Sequence, residues 1–292
     1  MLKPHLPVLN SFLIFSLLST ASITTSASFA SKQSPLNTSF SEPIAFIPPI
    51  PPGERQAEED ETQQVDLGSR GPGDEGYLTA LVPAQGLTLT TASHPSFWVY
   101  LPGMADDIES MEFLLRHRQS GQIESFSVEQ PSPNVQSSLP GVVELTLPTS
   151  AAPLKIDEVY DWSLIVNYHI PSQGSGIGLS YEHFVVASVQ RQVASAELEA
   201  DLAQVTTPRE QAAAYAKHGI WHESLTSLGN HYRSNPDDLV LATDWASLLM
   251  AVDLESHPHF PFAIPFDSNR LSQRAIVQCC SLDDAASVAQ EP

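Results

Sequence analysis

Two histidines four residues apart, His218 and His222, are the first pair in this chain whose types and spacing could do chemistry. On one helix face that spacing suits a divalent metal such as zinc. Gly219 falls between them at a predicted turn, however, and although Glu223 follows, the second histidine of a zinc-protease motif is missing. His257 and His259 straddle Pro258 in a stretch predicted to be extended, which puts both imidazoles on one side. With Asp253 or Glu255 they are the candidate metal ligands, for a weakly held divalent ion. Carboxylate pairs occur at Asp106-Asp107 and Asp157-Glu158. Glycosidase chemistry needs two carboxyl groups opposed across a cleft, whereas both pairs fall at predicted turns, where solvation accounts for them. The alternating glycines of Gly174-Ser175-Gly176-Ile177-Gly178 join two predicted strands and open no helix, so they read as a hairpin tip rather than a dinucleotide loop. No serine sits in a nucleophile elbow and no Walker loop is present. The sequence therefore assigns no catalytic residue and implies no cofactor.

Aromatic side chains raise a different chemistry, the stacking of sugar rings or of a partner's apolar surface. Trp98, Tyr100, Trp162, Tyr168 and Tyr181 all fall in predicted strands. Tyr160, Trp162 and Tyr168 share a face with Leu164 and Val166, the mark of a core face. Trp98, Tyr100 and Tyr181 are left as the candidate binding surface, with core packing as the competing reading.

The elements that must position these residues follow from periodicity. From 76 to 191 the period is two, most clearly over Val159–Ile170, where Tyr160, Trp162, Leu164, Val166 and Tyr168 alternate with Asp161, Ser163, Asn167 and His169. Phe97-Trp98-Val99-Tyr100 is bulky on both faces, as expected of a central strand covered on each side. Similar runs at 77–82, 96–101, 111–116, 125–129, 142–147 and 181–189 are punctuated by proline and glycine turns. After Gln192 the pattern turns helical. Thr207-Pro208-Arg209-Glu210 reads as an N-cap, a first-turn proline and a capping box; Gly219 ends that helix, another runs over 220–233, and a last one over 238–254. The expected fold class is α+β: an antiparallel, immunoglobulin-like β-sandwich of about 7–9 strands over 76–191, then a C-terminal bundle of about 3–4 helices over 192–255 packed on the sheet. Residues 256–292 are expected to form a loose tail.

Upstream, 31–75 holds six prolines between Pro35 and Pro52, then Glu58-Glu59-Asp60-Glu61, then three glycines, and reads as a disordered, acidic spacer. Within it Ile44-Ala45-Phe46-Ile47 is an apolar patch able to dock locally. Residues 1–30 combine Lys3, an apolar stretch through Leu18 and Ser28-Phe29-Ala30, the pattern of a secretory signal peptide cut after Ala30. The stretch is too short and too broken by serine and threonine for a stable span, so no membrane span is expected after cleavage, and the product is expected in the periplasm or outside the cell. Charge narrows the partners: 34 Asp and Glu against 13 Lys and Arg give a net −21, which repels phosphate backbones and excludes nucleic acid. Another envelope or secreted protein is the expected partner. Only Cys279 and Cys280 are present; as neighbours they cannot cross-link distant elements. They read as an intermolecular bridge, a redox-sensitive tail or part of a dispensable terminus.

Two resemblances rest on these residues. Tyr215, Gly219, Trp221, Leu225 and Pro236 are spaced in a way that resembles one helix-turn-helix unit of a tetratricopeptide repeat, with Ser224 in place of the usual alanine and departures at Leu228 and His231. One unit makes a helical hairpin packed on the sheet, not a peptide-binding array. Over 70–254, the order Gly76 to Pro83, Pro95 to Pro102, Pro140-Gly141-Val142-Val143, Tyr160-Asp161-Trp162, Gly219 to Leu225 and Trp245 to Leu249 resembles the exported cyanobacterial domain-of-unknown-function family 928. The resemblance implies export, one combined unit of sheet and helices, and no catalytic residues. The family's pattern carries a cysteine after the Ser-Arg-Gly region paired with one near the end of the central tryptophan strand; here Asp74 and His169 lie near those places, so that pair is absent. The expected function is a non-enzymatic protein-interaction module of the cell envelope, with a carbohydrate-binding or glycan-hydrolysing envelope protein as the alternative.

Overall fold

Strand and helix boundaries follow the alternation closely. A computed structural model gives the structure of residues 42–49, 77–83, 87–130, 139–170, 178–252 and 268–283. The expected signal peptide, most of the expected spacer, Gly174 to Ile177, and the candidate ligands Asp253, Glu255, His257 and His259 lie outside the described residues. The strands are β1 (Thr79–Ala80), β2 (Leu87–Thr90), β3 (Ser96–Leu101), β4 (Ile108–His117), β5 (Ile123–Ser127), β6 (Gly141–Thr146), β7 (Val159–Ile170), β8 (Leu179–Arg191) and β9 (Ile276–Val277). The helices are α1 (Ala196–Leu202), α2 (Pro208–Lys217), α3 (Trp221–Ser234), α4 (Leu239–Leu249) and α5 (Ser268–Ser272).

The strands form two sheets, β1-β3-β6-β9 and β2-β8-β7-β4-β5. One buried cluster takes side chains from both: Phe97, Val99 and Leu101 from β3, Val143 and Leu145 from β6, and Phe113, Trp162, Leu164, Val185 and Ala187 from the larger sheet. Phe97 sits 5.0 Å from the rings of both Phe113 and Trp162 across that interior. Burying each such side chain contributes roughly 1.5–3 kcal/mol. All six residues of β3 are buried. Its other face, Trp98 and Tyr100, joins Val142 under a second cluster built from Trp221, Leu225, Leu228, Trp245, Leu248 and Leu271 of the helices. The architecture is thus helices on a four-stranded sheet, with that sheet packed on a five-stranded one.

Most pairings are antiparallel, but one edge of each sheet is not: β2 pairs parallel with β8, and β9 parallel with β6. Both strands are short and joined to distant partners, so the local alternation that revealed the others was absent. A glutamate holds the β2 edge in place. Glu223 in the first turn of α3 accepts hydrogen bonds on Oε1 from the Thr90 and Thr91 hydroxyls at 2.8 and 2.9 Å and from the Thr91 and Ala92 amides at 2.7 Å. The capping box at Thr207 and Glu210 is present as the sequence predicts. Gly219, with φ +72°, ends α2 where Pro49 and the Ile47 carbonyl approach so closely that a Cβ would lie 3.1–3.2 Å from them.

Two stretches are more ordered than their composition implies. Ile44 is buried among the helices, its amide donating to Asp244 Oδ1 at 3.0 Å, and Phe46 meets Trp221 edge-on at 4.8 Å. Asp244, almost wholly buried, also pairs with Arg209 of α2, so one carboxylate joins the 42–49 strap, α2 and α4. At the other terminus the loose tail expected from residue 256 is corrected over 268–283. That stretch supplies α5 and β9, and Val277, Cys280 and Leu282 enter the sandwich core. The dispensable-terminus reading fails here because Val277, Cys280 and Leu282 pack into the core, three side chains being too few and too unevenly spaced to register as a pattern. Cys279 and Cys280 are bonded to each other.

Candidate functional site

The three aromatics singled out as a surface do not share one. Trp98 and Tyr100 are buried beneath the helices, a correction that follows from β3 being covered on both sides. The Trp98 indole donates to Thr226 Oγ1 at 3.0 Å and lies 5.8 Å from the Trp245 ring, and Arg274 stands over Tyr100 at 5.8 Å. Tyr181 belongs to the other sheet, at the end of the sandwich interior. It is half-buried, stacked on Tyr168 at 5.4 Å and edge-on to His183 at 4.9 Å. Burial and then the nearby Asp107 charge push its phenol up to about 12.

The histidine and carboxylate candidates are dispersed in the same way. His218 Nε2 lies 2.7 Å from Asp201, which Lys217 also reaches at 2.7 Å. Those partners hold the Asp201 carboxyl below its ordinary range. His222 is buried on the far side of the turn, with Nδ1 donating to the Ser96 carbonyl at 2.9 Å and Nε2 2.7 Å from the Thr88 hydroxyl. Desolvation lowers its pKa below 6.5, the neutral ring being the form that the site accommodates. Glu158 is tied to His117 and to Lys155, and Asp106-Asp107 sit in a single turn of 3-10 helix. Among the described residues no group of three or more His, Cys, Asp or Glu side chains is placed to hold a metal ion.

The outer face of the five-stranded sheet is different, because it is apolar where a wet face should be polar. Ile165 on β7 and Phe184 on β8 are direct cross-strand partners, and Ser163 pairs with Val186 one step along. Leu114 on β4 stands opposite Ser163 and completes the group. Phe184 is 38 % exposed, and Ile165, Val186 and Leu114 are half-buried. Glu112 opposes Ile165, and Glu182 opposes Asn167, so carboxylates flank one end of the patch. The other end is closed by Asp161, bound by Arg116 at 2.7 Å, by Arg118 at 2.5 Å and by the Ser188 hydroxyl at 2.8 Å. Burial works against that carboxylate, but the hydrogen bonds from Arg118, Ser188 and Arg116 outweigh it and hold its pKa below 3.8. The result is an apolar centre with an ion-pair border on one side and acidic groups on the other.

A family model described as Domain of Unknown Function (DUF928) matches residues 65–262. The chain belongs to the DUF928 family. The match covers every strand from β1 to β8 and helices α1 to α4, and ends before α5, β9 and the two cysteines of this DUF928 chain. No curated protein and no solved structure matches it. Among the described residues no helix is long and apolar enough to cross a membrane.

The outer patch of the DUF928 chain left one signal in the sequence. Ile165 is the apolar exception among Asp161, Ser163, Asn167 and His169 on the wet face of β7. Phe184 and Val186 repeat the exception on β8, but only the register of β7 against β8 shows that the exceptions meet.

Proposed function

We propose that this chain is an exported, non-enzymatic docking module of the bacterial cell envelope, working in the periplasm or outside the cell. Its partner is another envelope or secreted protein, met through the outer face of the five-stranded sheet. The observation that carries this reading is the cross-strand pair of exposed Phe184 and half-buried Ile165 on the sheet's outer face, flanked by Glu112 and Glu182. Apolar groups ringed by polar ones are the usual anatomy of a protein interface. Acidic flanks on a chain of net charge −21 select a partner that presents an apolar projection beside lysine or arginine. We read the sandwich as immunoglobulin-like, and α2–α3 as a single tetratricopeptide-like hairpin whose grooves are filled by its own sheet. Export rests on Lys3, the apolar run and Ser28-Phe29-Ala30.

A photo-crosslinking residue placed at Phe184 in the producing cell tests both parts. The expected result is one discrete adduct from the envelope fraction, absent when Glu112 and Glu182 are both changed to Lys, and absent when the crosslinker stands at the exposed Leu239 of α4 instead. Equal labelling from both positions, or a chain recovered in the cytosol with Met1 to Ala30 attached, would overturn the reading.

A further inference from the structure

The five-stranded sheet ends at β5, and one end of that edge is already used by the chain itself. In the ladder with β4, the Val128 amide donates to the Met111 carbonyl and the His117 amide to the Gln122 carbonyl. The even-numbered residues along β5 therefore bond inward to β4, and the odd-numbered ones turn their N–H and C=O groups off the sheet. Two of the odd positions are met there. The Glu129 amide donates to the Ser281 carbonyl and the Asp283 amide to the Ser127 carbonyl, both at 2.9 Å, and Leu282 bridges Val128 in antiparallel sense. The C-terminal stretch thus adds to this edge as a short strand. Beyond it, Ile123 and Ser125 have no backbone partner on the outward side among the described residues.

The side chains at this open end continue the outer face. Phe126 and Val128 are buried in the sandwich core, so alternation sends Ile123, Ser125 and Ser127 to the outer side. Ser125 opposes Leu114 of the apolar patch, and Ile123, 56 % exposed, opposes Arg116. The Ser125 hydroxyl donates to Glu112. Exposed edges are ordinarily blunted by lysine, by proline or by a covering segment. β5 contains neither residue, and its cover stops at Ser127. Glu124, its one charged residue, falls on the inner side, 3.4 Å from the Ala152 amide.

We propose that the open end of β5 receives an extended segment of the partner as an added antiparallel strand, with an apolar side chain beside Ile123 and a lysine or arginine, two residues before it, beside Ser125 and Glu112. The inference rests on the outer face being the docking surface and states how the partner is gripped: by main-chain bonds at the edge, while alternate side chains meet the patch. Extended backbone presents N–H and C=O groups at the spacing of Ile123 and Ser125; a helix has spent its own internally. Antiparallel direction is the one the tail takes on the same edge. Residues opposite Ser125 and Ile123 share their face, so the motif reads basic, any residue, apolar. Glu112 and the net charge of −21 select the basic member.

The test is amide hydrogen exchange of the full-length chain with a capped seven-residue peptide, Thr-Thr-Lys-Thr-Val-Thr-Thr, whose lysine and valine fit opposite Ser125 and Ile123. Saturable slowing of exchange is expected at the Ile123 and Ser125 amides. It should vanish when the lysine and valine are N-methylated, and weaken about tenfold when glutamate replaces the lysine. Ser125→Pro removes an outward donor and no bond to β4, so its thermal transition should persist while slowing at Ile123 is lost. Ser125→Ala should retain the slowing. No saturable slowing, equal slowing by the N-methylated peptide, or slowing that survives in Ser125→Pro would overturn the added strand. An adduct at Phe184 without slowing leaves the docking face standing and removes the edge; slowing without an adduct does the reverse.

Discussion

The helix-facing side of the four-stranded sheet and the outer side of the five-stranded sheet are both built on strands with apolar groups on two faces, yet among the described residues one is sealed and the other open. On β3 the second face is Trp98 and Tyr100, large and uninterrupted, and α3 and α4 close over it. On β7 the second face is Ile165 alone among Asp161, Ser163 and Asn167, and its company comes from β4 and β8. A continuous second stripe within one strand recruits a covering layer of the same chain. A patch assembled across strands from single exceptions is too small to bury a helix and stays available to something else.

The largest effect should come from breaking the sealed side. Trp98→Ala removes an indole packed on Trp245 and bonded to Thr226, and is expected to lower unfolding free energy by about 3–5 kcal/mol in urea titration. A loss near that expected of an exposed aromatic would show that the helices do not depend on β3. Gly229→Ala sharpens the same point without removing anything. A Cβ there would lie 2.5 Å from the Trp98 ring, and the indole is held by its bond to Thr226 and its packing on Trp245. Overpacking of about 1–3 kcal/mol is expected, against the gain that alanine gives in an open helix. A stabilised variant would refute the close approach.

How much of this was readable in residues alone differs along the chain. Val159–Ile170 was legible as a strand to its ends because every second side chain answers one buried face. The Thr207 capping box was legible because its four residues interact locally. β2 and β9 were not, since a parallel partner more than about a hundred residues away leaves no trace in a run of four or two. The same gap hid the outer patch: Ile165 and Phe184 become neighbours only through sheet register. Trp98 and Tyr100 mark the opposite failure. Their bulk on both faces of β3 already indicated a covered strand, which is incompatible with serving as a surface.

Acid should separate the two sides a second time. His222, in the sealed region, is held neutral by desolvation, while hydrogen bonding to the Ser96 carbonyl and the Glu223 charge oppose the shift in part. The unfolded chain takes up that proton at 6.5, so the stability carried by the neutral ring is present above 6.5 and lost as pH falls through the lower folded value. Asp161, on the open side, is lowered from 3.8, so its contribution is present above 3.8 and lost only below it. In His222→Gln the decline in stability just below pH 6.5 should flatten relative to the parent, with the decline below 3.8 retained. Parallel curves for the two proteins across the upper window would mean that His222 is not held neutral by its burial.

Phe184→Ser carries the smallest expected effect on folding and the most direct bearing on function. The residue keeps Ile165 as its cross-strand partner but has no covering layer among the described residues, so the loss should stay below about 1 kcal/mol, the range of a single cross-strand pair. Serine leaves the strand's hydrogen bonds intact, so register should be unchanged. A patch kept for docking has to be dispensable to the scaffold that displays it. If Phe184→Ser unfolds the chain as readily as Trp98→Ala, the outer face is a second core whose cover is missing from the described residues, and the contrast between sealed and open sides collapses. If the transition barely moves while the crosslinked adduct is lost, exposure at Phe184 is being maintained against the general tendency to bury aromatics, and the open sheet is the working side of the molecule.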